Sequence, residues 1–565
     1  MRNLLERSWK IAKKRRIIEV ARGDRRADIV LKNVQLVNVL TEEVYESDIA
    51  FCDNIIAGVG RYSGIKEFDC RELFAVPGLI DAHTHIEMTM LSLSEFSRLV
   101  VNKGTTAVVA DPHEIANVFG VDGIKMLIEE SKSTPLRFYC LIPSCVPSSK
   151  LETAGAEIGV KEIKELMKFE QVLGLAEVMN YPGVLNCEDD ILQKILAAEG
   201  KIVDGHCPLL SGEKLNAYIS AGVYSDHEST RLEEAKEKLR LGMRIMIREG
   251  SAARNLRALK SLIPNRYLML VTDGDRSVLD IINEGYLDYV YRRAIEEGID
   301  EFHTLQMLTI NPAEYFGINA GLIAPGRFAD VVLLKNLKKF EVKKVFVDGK
   351  IPEFKSFEYP EWVKKSVKAK KITLKDVELR PGKARVIVVY DGEIITGEII
   401  EEVKGIDVSK DILKALVVER HGKTSNISKA YVKGFGLKRG AIAQTIAHDA
   451  HNIVAVGASD EDICKAVNSL IDIQGGIVVC DGKEVITLPL RIGGLMSDER
   501  AEVLAEKLEK VENKIKELGC NLKSPIISLS FIALPVIPKL KLTDLGLVDV
   551  EKFEIVDVFV SGSKN

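Results

Sequence analysis

Between residues 76 and 273 the chain repeats one pattern eight times: a short apolar run rich in β-branched residues, then a segment with helical periodicity. A strand buried on both faces must be apolar throughout, and a parallel sheet is the arrangement that buries both faces. The runs are 76–85, 104–111, 137–143, 171–178, 201–206, 222–227, 244–249 and 266–273, and the clearest helical spacing between them lies at 160–169 and 232–241. Eight strand–helix units over roughly 240 residues predict an α/β fold, a TIM-type (β/α)8 barrel. An open doubly wound sheet is disfavoured because no Gly-x-Gly-x-x-Gly follows any run.

The polar residues of this region gather where the runs end. His83 and His85 close the first, Glu177 lies near the end of the fourth, His206 ends the fifth, His227 the sixth and Asp273 the eighth. Side chains two apart on a strand point the same way, so His83 and His85 can grip one cation. In a parallel barrel the C-terminal strand ends form the binding face. A lone histidine on an apolar strand is an ordinary core residue. Four histidines and two carboxylates converging there are another matter, because burying them together without a cation is very costly. The set suffices for two divalent ions sharing a bridging carboxylate and a bridging water, and a metal hydrolase is expected. Asp273, beside the ions, is the expected proton carrier.

The loop after the second run carries Asp111 and Glu114 around Pro112 and His113. These carboxylates can accept hydrogen bonds from a substrate N–H, whereas an ordinary alternative has Asp111 capping the helix that starts near Glu114. Glu228 is a third substrate-side candidate, although strict alternation would turn it away from His227.

Residues 77–85, Pro-Gly-Leu-Ile-Asp-Ala-His-Thr-His, together with 309–313 and 321–330, resemble the amidohydrolase superfamily. The stretches 111–117, 176–184, 204–208 and 225–228 narrow the resemblance to the adenine deaminases of bacteria and archaea, and it extends from about residue 28 to near the C-terminus. Many superfamily members hold their metals with a carboxylated lysine on the fourth strand; Glu177 at that position looks like the deaminases and argues against a dihydroorotase-like or urease-like enzyme. The resemblance implies hydrolytic deamination of adenine to hypoxanthine and ammonia, in purine salvage, by attack of an activated water on C6. It implies Mn2+, with Fe2+ and Zn2+ as alternatives, two ions per chain, and catalytic roles for Glu177 and Asp273. It supports purine reading by Asp111 and Glu114. Asp275, beside Asp273, is the weaker candidate for proton transfer and is read as an outer residue. Thr272-Asp273-Gly274-Asp275 departs from the Asp-Asp pair expected of close relatives.

Outside the barrel, assigned to 76–318, strand-like segments at 29–37, 330–334 and 345–350 predict a small β domain built from both flanks, 28–75 and 319–369. The superfamily it resembles has such a domain. Residues 1–27 form a basic, helix-like segment, read as a solvated helix face and too interrupted in hydrophobicity for a signal peptide. From 370 to 565, turns at Asp391-Gly392 and Asp481-Gly482, helices at 461–473 and 498–518, and an apolar tail at 526–537 read as strand predict an additional C-terminal α+β domain, similar to that of the adenine deaminases. Its stretch Ala447-His448-Asp449-Ala450-His451-Asn452 is read as structural or pocket-lining rather than as a second metal site, since only three ligand-type side chains gather there.

Composition narrows the partners. With 565 residues, 46% hydrophobic and 28% charged, the chain can bury several cores, and no long apolar run suggests a membrane span. A net charge of −5 argues against nucleic acid as the main partner. Nine scattered cysteines without a Cys-x-x-Cys read as reduced thiols in a cytoplasmic protein, expected to be a homo-oligomer acting on a small molecule. Two rival classes are a cyclic-amide amidohydrolase, which a lysine in place of Glu177 would favour, and a barrel that has lost catalysis, which a missing ligand would mark. None is missing.

Overall fold

The computed structural model describes residues 2–251 and 253–560. Eight parallel strands, numbered here β1 to β8, match the eight runs: β1 (Leu79–Thr84), β2 (Thr105–Ala110), β3 (Arg137–Ile142), β4 (Val172–Val178), β5 (Ile202–Gly205), β6 (Ser225–Asp226), β7 (Arg244–Arg248) and β8 (Leu268–Val271). β1 to β5 pair in chain order in one sheet and β6 to β8 in a second. The arrangement curls, so that β5 lies beside β6 and β8 beside β1. At both junctions side-chain hydrogen bonds cross the gap. Thr272, just past β8, donates its hydroxyl to Asp81 of β1 at 2.7 Å. Ser225 of β6 donates to Asp204 of β5. Both aspartates are fully buried, where an unmade hydrogen bond would cost far more than on the surface.

Alternation along the strands divides the core. Ile80 and Ala82, Ala107 and Val109, and Met269 and Val271 pack with Ala313, Phe316 and Ile318 in one cluster. Their neighbours Val108, Ala110, Leu268 and Leu270 belong to the largest apolar cluster, which includes residues of the helices Leu93–Val101 and Val121–Ser131. Burial on both faces is why the runs read as unbroken apolar stretches.

The run at 76–85 is not a single strand. Phe74–Pro77 pairs with Ala27–Asn38 and Val331–Asn336 in a seven-stranded sheet, and β1 starts only at Leu79. Pro77, which has no N–H to donate, and Gly78 form the corner. A Cβ on Gly78 would fall 2.0 Å from Thr106 Oγ1 on the neighbouring strand. The seven-stranded sheet draws five strands from residues 27–77 and two, Val331–Asn336 and Glu341–Phe346, from beyond the parallel region. The basic helix, Arg2–Ala21, is not simply solvated: Val20 is buried, Lys13 bonds Asn54, and Arg16 pairs with Asp28 and Asp53 at the sheet.

Beyond residue 370 an eight-stranded sheet runs from Thr396–Val403 at one edge to Glu484–Pro489 at the other, with helices Asp460–Asp472 and Ala501–Glu517. Both predicted hairpins are present. The tail read as strand is instead led by a helix, Pro525–Phe531. Proline is tolerated in a first helical turn, where its missing N–H has no partner to lose, and Ile526 and Leu529 then bury one face at helical spacing. This region abuts the parallel sheet's helices: Ser497 pairs with Leu91, and a Cβ on Gly493 would touch Ile115. No helix among the described residues is long and apolar enough to cross a membrane.

Because the Gly78 corner has no room for a side chain, Gly78→Ala is expected to cost about 1–3 kcal/mol through overpacking, read as a lowered thermal-unfolding midpoint. An unchanged midpoint would show that Thr106 yields without strain.

Candidate metal centre

The strand ends bring all six expected ligands together. His83 ends β1 but for one residue, His85 follows the strand, and their Nε2 atoms lie 3.3 and 3.4 Å from Asp273 Oδ1. Both rings are oriented from behind. His83 Nδ1 bonds Asp204 Oδ2 at 2.8 Å, and His85 Nδ1 donates to the Asp111 carbonyl at 2.9 Å. Fixing Nδ1 in this way leaves Nε2 as the ligand atom, the usual arrangement behind metal-binding imidazoles. Glu177, one residue from the end of β4, divides its oxygens between two groups. Oε2 is 2.6 Å from His206 Nδ1 and 3.2 Å from His227 Nε2, whereas Oε1 faces His85 Nε2 at 3.6 Å.

Asp273 lies beyond β8 with φ of +57°, a left-handed conformation that aspartate tolerates better than most residues. Its N–H donates to the His83 carbonyl, so the two ligands share a main-chain bond across the junction of β8 and β1. Arg248 at the end of β7 holds Asp273 Oδ2 at 3.0 Å with the same nitrogen that bonds Glu228.

The electrostatics are those of a cation site. Burial alone raises a carboxyl pKa, yet His206 and His227 hold Glu177 well below the ordinary value. Asp273 is likewise lowered against burial, by His227, His83, His85 and Arg248. Burial lowers an imidazole's pKa, but Asp204 and Asp273 raise His83 well above its usual value, and Glu228 and Glu177 raise His206 to about 9. A cluster that recruits protons onto its ring nitrogens accepts a metal ion in their place. Among the described residues, His83 Nε2 and His227 Nδ1 are buried without a hydrogen-bond partner. The ligand atoms of His83, His85 and Asp273 lie within 4.8 Å of one another, as do those of His83, Glu177 and His227. Imidazole and carboxylate donors without thiolate fit Mn2+, Fe2+ or Zn2+.

The remaining residues differ from expectation in informative ways. Asp111 does not cap the helix His113–Phe119; Pro112 occupies the cap position without a side-chain bond, and Glu87 receives the Ile115 N–H instead. Asp111 Oδ2 faces His113 at 3.2 Å, and Oδ1 is buried with no partner among the described residues. β6 ends at Asp226, so alternation does not govern Glu228, which turns toward Arg248 and lies 3.7 Å from His227 Nε2. Asp275 accepts the Ala253 N–H and ties down the loop after β7. Glu114 is met by His448 and His451 from the C-terminal region. Sequence reasoning passed over His113, 3.8 Å from Glu177 Oε1, as well as Asp204 and Arg248. For Asp204 and Arg248 the available signal was a charged residue inside an otherwise apolar run.

The amidohydrolase family model matches residues 74–351, which contain the whole cluster, and the adenine deaminase C-terminal domain model matches residues 393–554. Imidazoles and carboxylates grouped at the C-terminal ends of a curled parallel sheet, within that match, define an amidohydrolase. An adenine deaminase of Archaeoglobus fulgidus is 68% identical over 548 residues, covering 97% of this chain and 98% of that protein. One of Dehalococcoides mccartyi is 43% identical over 561 residues, 96% of this chain and 98% of its own. The chain belongs to the adenine deaminase family. Among solved structures, a β-aspartyl dipeptidase of Fervidobacterium islandicum AW-1 aligns with 58% of this chain and 96% of its own, at TM-score 0.43 and 18% identity, a likeness on which nothing further rests.

Since His206 titrates near 9 in the metal-free cluster, a cation bound at pH 7.5 must displace ring protons. Proton release on loading the metal-free protein with Mn2+ is expected, seen as a dependence of the calorimetric heat on buffer ionisation enthalpy. Apparent affinity should weaken as pH falls from about 9 toward 6.5, because protons then compete for the same nitrogens. Heat independent of buffer would contradict this.

Proposed function

We propose that this protein is an adenine deaminase that converts adenine and water to hypoxanthine and ammonia at a two-metal centre held by His83, His85, Glu177, His206, His227 and Asp273. The observation that carries the reading is Glu177, whose oxygens face separate imidazole groups as a bridging carboxylate must. The substrate is supported by relatives of 68% and 43% identity named for this activity. We read residues 76–318 as a (β/α)8 barrel; chain-order pairing within both sheets and the bonds across their junctions support closure. Residues 28–75 and 319–369 are assigned to a small β domain, 370–565 to a C-terminal domain, and 1–27 to a helical segment. Mn2+ is the preferred ion, with Fe2+ and Zn2+ as competitors. We assign the enzyme to purine salvage in the cytoplasm, and nine free thiols agree with a reducing compartment.

Adenine carries its amine on C6, an electron-poor ring carbon, so exchange for oxygen needs a strong nucleophile and a proton for the leaving nitrogen. Divalent ions at this cluster, when bound, lower the pKa of a water from about 15.7 toward 7 and so make a nucleophile available at neutral pH. Asp273, kept ionised by its neighbours, takes the proton of the attacking water and passes it to the departing amine. Arg248 grips the second oxygen of Asp273 and limits its rotation. Asp111 Oδ1, a buried acceptor without a partner among the described residues, is assigned to a purine N–H, with Glu114 and Glu228 as further contacts. Burying such acceptors favours a base that satisfies them over one that leaves them empty.

Ammonia release from adenine by Mn2+-loaded protein, beside adenosine, guanine and cytosine, tests the reading. Turnover of adenine is expected, and no release from any base by protein holding two metals per chain would sink it. Glu177→Gln should lose metal and activity together. Asp273→Asn should keep most of its metal and lose about 10²–10⁴-fold in kcat; near-normal turnover would remove Asp273 from proton transfer.

A further inference from the structure

Glu114 stands in the first turn of the helix His113–Phe119, beside Asp111 and His113. Its oxygens are met by two imidazoles from the far end of the chain. Oε1 lies 2.8 Å from His448 Nδ1, and Oε2 is hydrogen bonded to His451 Nε2, 337 positions away in sequence. All three residues are buried, at 3%, 4% and 1% exposure.

The loop that presents these histidines is itself held on several sides. Buried Arg420 donates to the carbonyls of His451 and Gly493. His421 Nε2 bonds the Ala450 carbonyl at 2.8 Å. Asn452 donates to the Thr153 carbonyl, and the His448 N–H donates to Ser530 Oγ. A loop tied at this many points has one orientation to offer.

Hydrogen-bond direction identifies the tautomer of His451. The Ala447 N–H can only donate, and it donates to His451 Nδ1 at 3.2 Å. Nδ1 therefore carries the lone pair, and the ring proton sits on Nε2, aimed at Glu114. The same three side chains are of metal-ligand type and lie close together. A ring that already uses its lone pair at Nδ1 has none left at Nε2 for a cation, so the contact is a donated hydrogen bond rather than a third metal site.

We propose that His451, supported by His448, is a positioning residue for the purine pocket: it donates to Glu114 and fixes the aim of that carboxylate toward the substrate. The C-terminal region is thereby a working wall of a pocket whose metal ligands all lie between His83 and Asp273. Oε1 also faces His113 Nε2 at 3.5 Å, whereas Oε2 keeps a second lone pair for a purine N–H while His451 holds the first. The inference rests on the deaminase reading above and extends it by giving the C-terminal region a task.

A double-mutant cycle on the Mn2+-loaded, full-length protein tests it, with metal content and thermal midpoint recorded for each variant. His451→Ala is expected to lower kcat/KM for adenine about 10- to 100-fold, the loss of one hydrogen bond to a charged group, while metal content stays at the wild-type level. His451→Gln, which keeps an N–H near the Nε2 position, should recover much of that loss. In a Glu114→Gln background His451→Ala should add little, because the residue acts through Glu114. Losses that multiply, an unchanged kcat/KM in His451→Ala, or loss of a bound metal from that variant would overturn the proposal. If His451→Ala does not fold, the cycle with His448→Ala, which removes the imidazole facing the other oxygen, decides by the same criteria. Metal-loaded wild-type protein that turns over no adenine would overturn the deaminase reading instead. Histidine ¹⁵N shifts then judge the contact alone: protonated Nε2 and bare Nδ1 on His451 support it, and the reverse removes it.

Discussion

Concentrated buried charge is the constraint on which the rest of this structure depends. Glu177, His83, His85 and His227 are buried, and Asp273 and His206 close the cluster from its partly exposed side. Charges in such a place survive only if each is matched by an opposite charge or a directed hydrogen bond. The six residues come from the ends of five different strands and their following turns, and Arg248 adds a match from a sixth. Glu177 is the hinge of the arrangement, because its two oxygens answer two sets of imidazoles at once.

The residues that hold the curled sheet together also aim the ligands. Asp204 accepts from Ser225 with one oxygen, bridging the gap between the two sheets, and holds His83 Nδ1 with the other. Across the other junction, the Asp273 N–H reaches the His83 carbonyl beside the bond from Thr272 to Asp81. Displacing either junction would move a ligand. Fold closure and site geometry are thus one set of hydrogen bonds, and this explains why aspartates that touch no metal ligand face of the pocket, such as Asp81, are fully buried.

Much of this was legible in the chain. The eight apolar runs became eight parallel strands, and the polar residues at their ends became the cluster, because burial on both faces leaves a strand few places for a polar side chain except its end. Other features were hidden for physical reasons. The run at 76–85 reads as continuous, since a strand in one sheet and a strand in the next are equally apolar, and only the packing of Gly78 against Thr106 reveals the corner. The tail at 526–537 has the composition of a strand, but Pro525 in the first turn and burial at helical spacing made its start a helix. Alternation misplaced Glu228 because β6 is only two residues long.

Local sequence determined the strands, the residues able to bind metal and the family resemblance, since each depends on residue type and on spacing within a short segment. Only tertiary structure decided which oxygen of Glu177 faces which imidazole, that Asp111 leaves Oδ1 as an acceptor with no partner among the described residues rather than capping a helix, and that His448 and His451 reach Glu114. Those facts join residues up to 337 positions apart, and the direction of a hydrogen bond between them exists only once the chain has brought both ends to the same place.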